Sequence, residues 1–164
     1  MKTIIIVRHA KSSWRNIKIN DIDRPLKANG IENAYLTASC LLDQHIKPQL
    51  LLSSPAARAL HTALIFAQTL KLPYRSIEIN QDIYGTPAES LNNLIHHINN
   101  KYETIMIVGH DPSLTNFINY MAEKKFEKIP TSSIHIVSSS AQKWDEVTPQ
   151  NAKYVTVIKP QKKN

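Results

Sequence analysis

The sequence predicts an α/β sandwich built around a mainly parallel sheet. Three observations carry that expectation. Short apolar runs rich in β-branched residues alternate with stretches of helical length. Prolines punctuate the alternation at 48, 55, 73 and 87. A hydrophobic content of 42% in 164 residues is enough for one packed core.

The elements follow in order. Thr3-Ile4-Ile5-Ile6-Val7 predicts a buried strand over about 2–7. A long polar loop then passes Trp14 and Pro25, and a helix is expected at about 28–46, ending before Pro48. Leu50-Leu51-Leu52 predicts a strand near 49–53. A helix follows at about 55–70, with Pro55 suited to its first turn. A short strand near 75–79 leads to a helix at about 87–100, with Pro87 again at its start. Thr104-Ile105-Met106-Ile107-Val108 predicts a strand at 103–108, feeding a helix at about 112–122 that Asp111 is placed to cap. The final strands are expected at 133–138 and 152–158. No linker, repeat or low-complexity segment divides the chain, so 1–160 reads as a single domain and 161–164 as a disordered tail.

Charge and cysteine content narrow the function classes. The net charge of +7 admits nucleic acid, an acidic partner or an anionic substrate. The basic residues are scattered, and no basic helix, zinc-finger spacing or aromatic RNA-binding signature is present, so nucleic acid is not expected as a partner. No apolar stretch reaches membrane-spanning length, and the N-terminus has no signal-peptide pattern. With Cys40 as the only cysteine, a cytoplasmic location is the expectation. Cys40 itself reads as a small core residue.

The chemistry concentrates where strands end. Arg8-His9 closes the first strand, Gly109-His110 closes the fourth, and the second delivers Arg58 to the same edge. Open parallel sheets bind ligands beyond the carboxyl ends of their strands. Two histidines and two arginines meeting there suit a small, doubly charged anion such as a phosphoryl group. A neutral His9 can attack phosphorus and form a phosphohistidine intermediate, provided its other ring nitrogen is held by a carbonyl or carboxylate. Arg8, Arg58 and His110 then stabilise the charge on the transferring group. No cofactor is needed. A metal is not expected either: His96-His97 point about 100° apart on a helix, and His45, His61 and His135 lack partners at ligand spacing. The loop over 10–27 is long for its place and is a candidate wall or lid over the site. Within it, Lys11, Ser12, Ser13 and Trp14 are candidate substrate or loop contacts, as is Gln81 farther along the chain, and Asp23 or Arg24 is expected to brace the loop.

These residues resemble a known family. Arg8-His9-Ala10 after a strand resembles the Arg-His-Gly signature of the histidine phosphatase superfamily, which includes cofactor-dependent phosphoglycerate mutases. The stretch RHAKSSW…DRPLKANG (8–30) resembles the small SixA-type phosphohistidine phosphatase branch. SSPAARALHTA (53–63) and VGHDPSL (108–114) resemble the family segments carrying the second arginine and second histidine. The resemblance covers roughly residues 1–120. It implies a nucleophilic His9, a phosphate pocket of Arg8, Arg58 and His110, and a three-layer sandwich with a mixed, mostly parallel sheet and helices on both faces. Phosphohistidine on a partner protein is the substrate it implies.

One departure matters. Family members acting on phosphate esters carry an acidic proton donor in a Leu-Asn-Glu-x-x-Tyr-Gly stretch, and the similar stretch here is Ile79-Asn80-Gln81-Asp82-Ile83-Tyr84-Gly85. Gln81 at the donor position cannot give up a proton, which an alkoxide leaving group needs. A phosphoramidate needs it less, so a P–N substrate is favoured. Asp82 and Glu89 are the alternative donors, and would make the protein a phosphatase of small phosphorylated molecules. A non-catalytic phosphate-binding module is the remaining reading, and the intact set of four residues speaks against it.

Overall fold

The computed structural model describes residues 1–160. Six strands form one sheet: β1 (Lys2–Arg8), β2 (Leu50–Ser53), β3 (Ile77–Ile79), β4 (Thr104–Gly109), β5 (Ile134–Ser139) and β6 (Ala152–Ile158). Their order is β3-β2-β4-β1-β5-β6. β3, β2, β4 and β1 run parallel, β5 is antiparallel to β1, and β6 is antiparallel to β5. Helices α1 (Ala28–Asp43), α2 (Ala57–Thr69), α3 (Ala88–His96) and α4 (Ser113–Ala122) cover the faces.

Alternation along the strands builds the three layers. Side chains of a strand point to opposite faces in turn. Ile5 and Val7 of β1, Leu51 of β2 and Met106 and Val108 of β4 pack with Ala34, Ala38 and Leu41 of α1 and Ala59, Ala63 and Phe66 of α2. Ile4, Ile6, Leu52, Ile105 and Ile107 pack on the other face with Leu91 and Ile95 of α3 and Leu114, Phe117, Ile118 and Met121 of α4. The helical sets fall at i, i+3, i+4 and i+7, the spacing of one buried helix face. The strands read as continuous apolar runs because both faces are covered. The three-layer sandwich with a mixed, mostly parallel sheet is therefore the observed fold.

The layers also locate the site. The helix after β1 lies on one face and the helix after β4 on the other, while β1 and β4 are neighbours. Their connections part at the carboxyl edge and leave a crevice there. Register sets Arg8 opposite Gly109 and Ser53 opposite Val108, so His9, Ser54 and His110 emerge side by side.

The element boundaries differ from expectation at the starts of α2, α3 and α4 and at the ends of α1 and α3. Pro55 precedes the N-cap Ala56, and Pro87 is itself the N-cap of α3, so neither prolines sits within a first turn. α3 stops at His96 rather than 100, because Asn99 and Asn100 serve other bonds. The Asn99 carboxamide accepts from Lys101 N, and that of Asn100 accepts from Trp144 N, at 2.9 and 2.7 Å. Asparagine readily forms such local turns in place of helix. Asp111 does not cap α4: Pro112 holds the N-cap position, and the Asp111 carboxylate accepts from Thr115 Oγ1 at 2.8 Å. The expected tail at 161–164 lies outside the described residues. Among the described residues, no helix is long and apolar enough to cross a membrane.

Candidate active site

The carboxyl edge brings Arg8, His9, Arg58 and His110 into one pocket of about 440 Å³. All four side chains come from rigid elements. Arg8 ends β1, His9 follows it, His110 follows β4, and Arg58 stands in the first turn of α2. The turn after His9 is tied to α2 through Thr62, whose hydroxyl accepts from Ala10 N at 3.0 Å and donates to Arg58 O at 2.7 Å.

The two histidines differ in their partners. His9 Nδ1 lies 2.7 Å from the Ala10 carbonyl oxygen, which can only accept. The proton is therefore on Nδ1, and Nε2 keeps its lone pair. His110 Nε2 lies 2.7 Å from Ser54 Oγ, and its ring centroid is 5.0 Å from that of His9. Burial, helped by the charge of Arg58 and Arg8, lowers the His9 pKa to about 4. Burial, helped by His9 and Arg58, lowers that of His110 to about 3. Both rings are neutral near pH 7, the state a nitrogen nucleophile requires.

The surrounding field is positive. The pocket is lined by six cations (Arg8, Lys11, Arg24, Lys27, Arg58 and Lys128) and two carboxylates (Asp21 and Asp111). Each carboxylate is engaged. Arg58 donates to the Asp21 backbone oxygen at 2.7 Å and to Asp21 Oδ2 at 3.0 Å. Tyr84 donates to the same Oδ2 at 2.8 Å, and Arg24 reaches Oδ1 at 3.2 Å. The Tyr84 hydrogen bond, with Arg58 and Arg24, holds the Asp21 carboxyl below its usual range. Asp111 Oδ2 lies 3.3 Å from Arg8 Nη1, which also donates to Ile129 O at 2.7 Å. Buried nitrogens remain without a protein partner: Nε of Arg8, Arg24 and Arg58, and Nδ1 of His110. Such groups are costly unless a ligand's charge offsets them, and a multivalent oxyanion meets that need.

The other expected residues fall into two groups. Ser12 and Trp14 line the pocket. Ser12 accepts a hydrogen bond from Arg24 Nη2, and the Arg24 guanidinium stacks 3.3 Å from the centroid of Trp14. Of the two residues expected to brace the loop, Arg24 does so, with Asp21 as its acidic partner. The loop over 10–27 folds back on itself, with Ser12 bridged to Leu26 and Lys27 N donating to Lys11 O at 2.8 Å. It forms a wall of the pocket. Gln81 and Asp82 sit in an exposed 3₁₀ turn and are absent from the pocket lining, whereas Tyr84, three residues beyond Gln81, bonds Asp21. Glu89 lines a neighbouring groove that shares His110 and Asp111 with this pocket. Asp21, Tyr84, Ser54 and Lys128 were not foreseen. Asp21, Tyr84 and Lys128 come from irregular segments, and only the Ser53-Ser54 end of β2 carried a positional signal. Among the described residues, no group of three or more His, Cys, Asp or Glu is arranged to hold a metal ion.

The chain is similar in sequence and fold to known proteins. The family model of the histidine phosphatase superfamily (branch 1) matches residues 4–85, half of the chain. An uncharacterised protein of Mycobacterium tuberculosis H37Rv is 31% identical over 154 residues, covering 87% of this chain and 92% of that one. The solved structure of the protein histidine phosphatase SixA complexed with tungstate superposes with a TM-score of 0.83 at 20% identity, covering 96% and 97% of the two chains. The candidate phosphohistidine phosphatase SixA of Agrobacterium tumefaciens gives 0.82 at 22% identity, covering 97% and 99%.

Proposed function

The chain belongs to branch 1 of the histidine phosphatase superfamily, and on that premise we propose that it removes phosphate from phosphohistidine on a partner protein, through a phospho-His9 intermediate. One observation carries the reading. His9 presents an unprotonated Nε2 in a basic pocket whose two carboxylates are both held by arginine. Such an arrangement suits a nucleophile among phosphoryl binders, with both pocket carboxylates committed to arginine.

His9 Nε2 attacks phosphorus while the P–N bond to the substrate imidazole breaks. The bond formed is of the same kind as the bond lost, and the step balances when the distal nitrogen of the substrate ring carries a proton, as His9 Nδ1 does, so that neutral imidazole leaves without an acid from the enzyme. Departure of an alcohol would leave an alkoxide and need a proton. Arg8 and Arg58 pair with the equatorial oxygens, and the bound dianion raises the pKa of His110 so that it can donate as well. Water then displaces His9 from phosphorus, releasing inorganic phosphate and restoring the ring. No metal or cofactor enters this scheme, and a cytoplasmic partner protein suits it.

A second reading rests on Glu89, which lines the groove beside His110. If Glu89 reaches the leaving oxygen, the protein is a phosphomonoesterase of small molecules. A substrate panel separates the two. We expect turnover of phosphohistidine and phosphoramidate, with ester rates falling steeply as leaving-group pKa rises and with Glu89→Gln changing little. His9→Ala should abolish all turnover and all acid-labile labelling. Efficient hydrolysis of alkyl phosphates, lost in Glu89→Gln, would establish the esterase instead.

A further inference from the structure

The groove that adjoins the phosphoryl pocket has a chemistry of its own. It measures about 830 Å³ and lies between Gly85–Ala88, one face of α3 and one face of α4. Glu89, Asn92 and Asn93 stand at i, i+3 and i+4 on α3, and Ser113, Asn116 and Tyr120 at i, i+3 and i+7 on α4. Residues at these spacings share a helix face. His110 and Asp111 belong to both cavities, so the groove opens from the place where the leaving group must depart.

Its polarity contrasts with that of the phosphoryl pocket. Six cations line the pocket, whereas no lysine or arginine lines the groove, whose formal charges are Glu89 and Asp111. A second phosphate or a carboxylate would be repelled there. What the groove offers instead are the carboxamides of Asn92, Asn93 and Asn116, between walls that include Pro87, Ala88 and Pro112. A carboxamide both donates and accepts, as a peptide group does. The volume is near the upper end of the roughly 300–1,000 Å³ usual for small-ligand sites, more than one imidazole fills.

We propose that the α3–α4 groove binds the uncharged polypeptide flanking the phosphorylated histidine, with Asn92, Asn93 and Asn116 bonding its backbone. This rests on the phosphohistidine reading above and adds to it where the partner docks. Charge complementarity and continuity with the phosphoryl pocket support this occupant: the charged head of the substrate enters the basic pocket, and its neutral body lies along the groove. Acidic flanking residues would be disfavoured by Glu89, Asp111 being paired with Arg8.

The test uses the double variant Asn93→Ala/Asn116→Ala. Both side chains are exposed and alanine favours helix, so the fold is expected to persist, and an unchanged thermal midpoint checks this. Three probes are compared: phosphoramidate, which has no flank, and phosphohistidine dodecapeptides with alanine or aspartate flanks. We expect KM for the alanine peptide to rise about tenfold in the variant, with its kcat and all phosphoramidate kinetics unchanged. The wild type should use the aspartate peptide less well than the alanine peptide. Equal effects on peptide and phosphoramidate, or none on either, would overturn the proposal. So would an effect confined to small phosphate esters, which would assign the groove to a small molecule. A wild-type protein inactive on phosphoramidate and on both peptides would instead refute the phosphohistidine reading itself.

Discussion

At Arg58, two hydrogen bonds to a single residue set what the side chain can do. Asp21 accepts from both terminal nitrogens, which fixes the position of the guanidinium in the pocket. A transferring phosphoryl group uses the same planar fork, so Arg58→Ala should lower kcat/KM by about 10²-fold or more. Arg58→Lys should recover only part of it, because a point charge cannot reproduce paired donation. Full rescue by lysine would mean that charge alone matters. Asp21→Asn keeps the shape but loses the charge that holds Arg58, Arg24 and Tyr84 together. We expect it to raise KM for phosphoramidate severalfold, because the guanidinium groups lose their common anchor. Equal or tighter binding in Asp21→Asn would show the carboxylate to be a competitor of the phosphoryl group. The residues that the sequence made legible were those adjoining strand ends, because strand register fixes where they emerge. Asp21 and Tyr84 meet across 63 positions from two irregular segments. No periodicity encodes such a pair.

Among the segments, the loop over 10–27 contributes most residues to the pocket lining. Gly30, in the first turn of α1, lets that helix press against the loop. A Cβ at position 30 would collide with the Lys11 backbone, including its nitrogen at 2.9 Å. Backbone cannot yield as a flexible side chain would. Gly30→Ala should therefore push the loop outward despite alanine's better helix propensity. We expect a lower thermal midpoint together with a raised KM, since Lys11, Ser12, Arg24 and Lys27 line the pocket from this segment. A stabilised, fully active variant would show that the helix end shifts instead. The strands and helices themselves were legible because apolar periodicity is strong where both sheet faces are covered. Their ends were less so. α3 is cut short by asparagines whose partners, among them Trp144 and Lys2, lie far along the chain. The resemblance implied only a mixed sheet, and that β5 and β6 are its antiparallel strands was not legible, since a strand's direction leaves no mark on its own sequence.

For the molecule as a whole, buried neutral histidines make stability depend on pH. Three histidines have depressed pKa values: His9 and His135 at about 4, and His110 at about 3. Burial is the main cause at each, with Lys159 adding to it at His135. His135 lies away from the pocket, bonded to Ser133 Oγ at 3.1 Å and Tyr154 Oη at 2.8 Å. In the unfolded chain each would titrate near its ordinary value of about 6.5. Above that pH both states are neutral and these groups contribute no slope. Between about 6.5 and 4 the unfolded chain binds protons that the folded protein refuses, so acidification favours unfolding. The slope approaches about 1.4 kcal/mol per pH unit for each histidine in the middle of that window. Urea unfolding at pH 7.5, 6.5, 5.5 and 4.5 should show stability level at first and then falling with increasing steepness. His135→Gln, which keeps a polar side chain but cannot take up a proton, should reduce the slope by one proton's share while leaving phosphoramidate turnover intact. Phosphate should oppose the fall, because a bound dianion returns His9 and His110 toward their ordinary pKa. A stability profile that stays flat from pH 7.5 to 4.5 would mean that the rings at positions 9, 110 and 135 are protonated as readily folded as unfolded, and that the nucleophile is not held neutral by its burial.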